Sequence, residues 1–165
     1  MKQTTEELAR VLKLGIKTEI DGQIFYSGLA QQVVYLDARK KLERLAADEA
    51  IHEKRLRALY SAHIGGDATD LPEHGLAVLK QAFGDKPLAE ADKFKLLDMA
   101  IDAELRTARF YRAEEEKSVN AEIRAVFAEL VVEEDGHYNL LMAERESLRG
   151  NISWFSFGDS AMMEE

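Results

Sequence analysis

Apolar residues recur at steps of three and four through four long stretches of the chain, and each stretch reads as an amphipathic helix. The first stripe runs Leu8, Leu12, Ile16, Tyr26, Leu29 and Val33. The second is Leu42, Leu45, Glu49, His52, Leu56 and Leu59, with Asp37 placed to cap its start. A third helix is predicted over about residues 88–118, through Phe94, Leu97, Ile101, Glu104, Ala108 and Tyr111. A fourth carries Phe127, Leu130, Glu134, His137 and Leu141, with Asn120 as its cap and Gly150 at its end. Only a few residues, around Tyr35 to Asp37 and Ser118 to Asn120, separate first from second and third from fourth, which folds each pair into an antiparallel hairpin. Between the hairpins, Gly65, Gly66, Pro72, Gly84 and Pro87 mark residues 61–88 as a long connection, with a brief helix expected near Leu76 to Phe83.

The polar residues inside the stripes carry the chemistry. Glu19, Tyr26, Glu49 and His52 reappear 85 residues later as Glu104, Tyr111, Glu134 and His137. Each half supplies one lone Glu and one Glu-x-x-His, the ligand set of a two-metal carboxylate site in a four-helix bundle. Residues three apart on a helix project about 60° apart and differ by about 4.5 Å in height, so Glu49 and His52 can reach the same metal region. In each hairpin the lone Glu precedes the Glu of the pair by 30 residues, and a tight turn midway returns both carboxylates to similar depth. One Glu-x-x-His alone is usually a solvated face. Two of them within apolar stripes are different, because an isolated buried charge is very costly unless it is paired or bound to metal. The fold expected is therefore all-α, a ferritin-like four-helix bundle of two hairpins with one long crossover, built around Glu19, Glu49, His52, Glu104, Glu134 and His137 as metal ligands. Carboxylate and imidazole suit iron or manganese, with zinc as a further candidate.

Tyr26 and Tyr111 each follow a lone Glu by seven residues, nearly two turns. Either they are amphipathic core tyrosines, or their hydroxyls bond a ligand carboxylate of another helix and so assist catalysis by orienting it. Asp48 and Glu133, each just before the Glu of its pair, can accept the outer ring N–H of the opposite His or stand as exposed acids. Gln23, one turn from Glu19, is a candidate polar lining of the pocket. His63 and His74, in or beside the crossover, lack a partner at helical spacing and read as surface residues.

Composition narrows the function. With 31 acidic residues against 22 Lys and Arg, the net charge of -9 gives no footprint for nucleic acid or anionic lipid. The absence of Cys excludes a disulfide, a Cys-bound zinc and an iron–sulfur centre. No stretch approaches the roughly 20 apolar residues of a membrane span, and the N-terminus lacks a signal-peptide pattern, so a cytoplasmic protein that does not engage membranes is expected. At 165 residues, one domain is expected over residues 1–150, followed by a tail at 151–165.

The segments IKTEIDGQIFY, LAADEAIHEKRL, IDAELRTARFY and LVVEEDGHYNLL together resemble the four helices of the rubrerythrin-like branch of the ferritin-like superfamily, and the resemblance covers residues 5–149. It implies that the six ligands bind two irons, that Glu49 and Glu134 bridge them, and that the diferrous site reacts with hydrogen peroxide or oxygen to become diferric. Three departures matter. Rubrerythrins commonly end in a Cys-ligated rubredoxin domain, so a separate electron-donor protein is expected here. They tend to carry an additional Glu where this chain has Thr107, which weakens a peroxidase assignment. Bacterioferritin places a haem-binding Met between the Glu and His of its first pair, whereas Ala50 and Ile51 stand here, so no haem is expected. The leading expectation is a di-iron oxidoreductase. The alternatives are a ferrous iron oxidase or iron-handling protein, and a bundle whose metal is structural. A homo-oligomer is expected, and the tail, with Trp154, Phe155 and Phe157, is expected to pack on the bundle or a second subunit, or to dock the donor.

Overall fold

In a computed structural model the chain forms four helices, α1 (Thr5–Gln31), α2 (Leu36–His63), α3 (Glu90–Lys117) and α4 (Ala121–Arg149). The structure describes residues 3–33, 36–77, 79 and 90–149, and among them there is no strand. The tail, Gly150 and most of the brief helix expected near Leu76 to Phe83 lie outside the described residues.

Local chemistry sets the helix starts. Thr4 caps α1 reciprocally: its hydroxyl accepts from Glu7 N at 3.1 Å while its own N–H donates to the Glu7 carboxylate at 2.8 Å. Asn120 caps α4 as its sequence position predicts, its Oδ1 accepting from the amides of Glu122 and Ile123 at 2.9 and 3.1 Å. Asp37 instead lies inside the first turn of α2, so its carboxylate complements the positive end of the helix dipole.

The helices pack as two hairpins, α1 with α2 and α3 with α4, with α2 also against α4. Their apolar stripes meet in two separate clusters. One holds Phe25, Leu29, Leu42, Leu45, Leu97 and Leu141. The other holds Leu12, Ile16, Leu56, Tyr111, Phe127 and Leu130. Burying a Leu or Phe contributes about 1.5–3 kcal/mol relative to exposure, so these clusters hold the hairpins together from both sides. Glu19, Glu49, His52, Glu104, Glu134 and His137 are buried between them, at 0 to 7% exposure. The bundle is thus layered along its axis: apolar, polar, apolar. Replacing Asn120 with Ala should cost about 1 kcal/mol in urea unfolding, and Asn120→Asp should cost little, because only the first removes the acceptor for the α4 amides.

Candidate metal centre

All six ligand candidates of the repeat converge. His52 Nδ1 lies 3.4 Å from Glu19, 3.3 Å from Glu49 and 3.0 Å from Glu134. His137 Nδ1 lies 3.4 Å from Glu49, 3.3 Å from Glu134 and 3.8 Å from Glu104. Glu49 turns Oε2 toward His52 and Oε1 toward His137, and Glu134 divides its two oxygens in the same way. The result is two four-residue groups, each able to hold a metal ion, that share Glu49 and Glu134. Glu19 and Glu104 each belong to one group. A side chain at Gly22 would bring its Cβ to 3.2 Å from Glu49 Cγ, so glycine lets α1 approach this shared carboxylate.

The outer imidazole nitrogens are held from the opposite hairpin. His52 Nε2 meets Glu133 at 2.5 Å, and His137 Nε2 meets Asp48 at 3.2 Å. A carboxylate there takes the Nε2–H, so a ring that gives up its second proton turns the Nδ1 lone pair to the cluster. None of the inward contacts is aligned as a hydrogen bond: both Nδ1 atoms and both Glu134 oxygens are buried without a hydrogen-bond partner. Buried polar atoms are rarely left so. Four carboxylates and two imidazole nitrogens converge on common points, no Lys or Arg is buried among the described residues, and the donor set fits metal ions as the counter-charge.

The electrostatics follow the crowding. Burial, then the charges of Glu134 and Glu19, hold the Glu49 carboxyl well above its usual range. Burial and the charges of Glu19 and Glu104 push Glu134 up to about 8, against the two histidines. Glu104 goes the other way: burial raises it, but the nearness of His137 and Glu134 prevails and lowers it. Burial opposes charge on His52 and His137, yet the surrounding carboxylates overcome it and hold both rings above their ordinary value. Tyr26 donates its hydroxyl to Glu104, and Tyr111 donates to Glu19, each crossing to the other hairpin. Burial and the nearby carboxylates raise both phenols far enough to keep them protonated donors.

Other sequence candidates fall elsewhere. Gln23 bonds Glu53 at 2.7 Å and does not line the pocket. His63 is partly buried and bonds Glu122 at 3.1 Å, while His74 lies 3.6 Å from Glu73; neither reaches the cluster. Arg55 carries no signal in the repeat, whose corresponding position is Leu140, yet it holds Glu133 at 2.9 Å and so fixes the partner of His52. Thr107 is buried beside the carboxylates and donates to Ala103 O at 2.9 Å. It lines a cavity of about 20 Å³ whose wall also includes Glu19, Glu49, Glu104 and Glu134. No described helix is long and apolar enough to cross a membrane.

An all-α bundle of two hairpins around a buried carboxylate and histidine layer defines a ferritin-like protein. The chain belongs to the rubrerythrin family, whose model matches residues 10–145. It is also similar to a solved structure described as a hypothetical protein from Pyrococcus furiosus, with 31% identity, a TM-score of 0.80, and coverage of 87% of this chain and 90% of that one. Among curated proteins there is no significant match.

In the metal-free protein, Glu134 has a folded pKa of about 8 against about 4.3 unfolded, and both histidines are raised as well. Groups raised by folding stabilise at low pH and lose that contribution as pH rises through the folded value. The melting temperature of chelator-treated protein should therefore fall between about pH 6 and pH 9. With excess manganese or zinc the trend should weaken or reverse, because metal binding favours the deprotonated ligands. Calorimetry across this range checks both trends.

Proposed function

We propose that the chain is a non-haem di-iron oxidoreductase of rubrerythrin type, which reduces hydrogen peroxide or oxygen with electrons from a separate donor protein. The observation that carries this reading is the sharing of Glu49 and Glu134 between two ligand groups, since carboxylates with one oxygen toward each group suit a pair of ions at about 3.5–4 Å separation. In this reading Glu49 and Glu134 would be shared by two ions, Glu19 and His52 would help hold one, and Glu104 and His137 would help hold the other. When bound, a ferrous pair supplies the two electrons that, with two protons, take one hydrogen peroxide to two waters.

The protein's own part is placement and exclusion. Tyr26 and Tyr111 restrain the terminal carboxylates Glu104 and Glu19 through their hydroxyls. Glu133 and Asp48 fix the imidazole tautomers, which raises the basicity of the inward nitrogens. A small cavity reaches the four carboxylates on the α1 and α3 side, and a larger one of about 320 Å³ touches His137 and the outer acids Asp48 and Glu133. Thr107, standing where rubrerythrins tend to carry another carboxylate, supports a second reading: oxidation of ferrous iron for storage or delivery.

Protein prepared in iron-replete cells should carry iron, with manganese and zinc minor by metal analysis. After anaerobic reduction, peroxide should oxidise the bound iron within one mixing experiment, and iron should stay bound over repeated cycles. Full occupancy without oxidation by peroxide or oxygen would leave a structural metal site. Release of ferric iron at each cycle would establish the iron-handling reading instead. Tyr26→Phe and Tyr111→Phe should each retain metal but slow oxidation by roughly tenfold or more, the scale of losing a partner that orients a ligand.

A further inference from the structure

The crossover does more than connect the hairpins. Its Gly75 and Leu76 lie against α1, and Ala77 and Leu79 form part of the wall of the cavity that holds the carboxylates. Two backbone amides pin it there. Gly75 N donates to Asp21 Oδ2 at 2.9 Å, and Leu76 N donates to the Thr18 hydroxyl at 3.0 Å. Both acceptors are themselves anchored. Thr18 Oγ1 donates to Leu14 O at 2.9 Å, and Asp21 Oδ1 is held by Lys17 at 2.5 Å.

The approach is tight. A Cβ on Gly75 would fall 2.6 Å from Thr18 Cα and 2.8 Å from its hydroxyl, so any larger residue must lift the segment from α1. Thr18 and Asp21 also line the cavity, placing the latch at its rim. An Asp with 6% exposure, committed to one lysine and one backbone amide, is a specific fastening.

We propose that Thr18 and Asp21 determine specificity by latching the Gly75–Leu76 backbone across the carboxylate cavity, so that it admits ligands of peroxide or dioxygen size and excludes organic hydroperoxides. This rests on the reading of the cluster as a metal pair reached through that cavity. Thr18, Asp21, Ala77 and Leu79 share the wall of this cavity with all four carboxylates, so on this side a tertiary alkyl group reaches them only past the fastened segment.

Cobalt(II)-substituted protein tests access without turnover. Azide should perturb the visible cobalt bands of the unmodified protein, and benzoate should not. In Gly75→Ala, Thr18→Ala and Asp21→Ala, benzoate should bind roughly tenfold more tightly than in the unmodified protein. The Gly75 and Leu76 amides should exchange roughly tenfold faster in the same variants. Thr18→Ser, which keeps the hydroxyl, should behave as the unmodified protein, and a thermal melt identifies any variant that fails to fold. In iron-loaded protein the ratio of oxidation rates by hydrogen peroxide and tert-butyl hydroperoxide should fall by roughly tenfold on opening the latch. Benzoate reaching the unmodified protein as readily as azide would overturn the proposal, as would folded variants with fast-exchanging amides that still exclude it. Failure to take up cobalt would sink the metal reading and this proposal with it. The expected access pattern without peroxide oxidation of iron would sink the peroxide chemistry alone.

Discussion

Four carboxylates buried between two apolar clusters are the constraint around which the rest of this bundle is organised. With neutral imidazoles and ionised carboxyls the layer would carry four negative charges, and no Lys or Arg is buried among the described residues to offset them. Protons can supply the balance only by displacing pKa values far from their usual ranges, as at Glu49 and Glu134. Two divalent cations would supply it outright. The tyrosines, the outer acids and the helix glycine all read as adjustments to this one layer, placing oxygen and nitrogen lone pairs where positive charge would sit.

The arrangement also explains why the bundle is layered. A polar stratum at mid-depth weakens the core locally, and the Phe25 and Phe127 clusters on either side offset that loss. Tyr26 and Tyr111 belong to those apolar layers by their rings and to the polar one by their hydroxyls. Each therefore couples packing to ligand orientation, which an amphipathic side chain does well and a Phe could not.

Much of this was legible in the order of residues. The stripes located all four helices to within a few residues, because burial at a 3.6-residue period is a local property. The repeat of Glu, Tyr, Glu and His marked the buried layer, because each hairpin contributes the same residues at the same depth. Both tyrosines cross to the other hairpin and so follow the hydrogen-bonding alternative, and Asp48 and Glu133 take the outer imidazole nitrogens. What periodicity could not reveal are contacts made by non-repeating segments. Arg55 has no counterpart across the 85-residue offset, and the latch depends on where an aperiodic crossover comes to rest against Thr18 and Asp21. Gln23 illustrates the opposite error: its position near Glu19 pointed inward, yet Glu53 at 2.7 Å draws it away.

Neither hairpin owns a complete half of the cluster. His52 stands beside Glu19 and Glu49 of its own hairpin but needs Glu134 and Glu133 from the other, and His137 depends on Glu49 and Asp48 in return. Ions seated there would act as rivets through the seam between the two halves. Were the seam to part, both seats would be dismantled in one stroke, so that demetallation and the undocking of the hairpins become a single event.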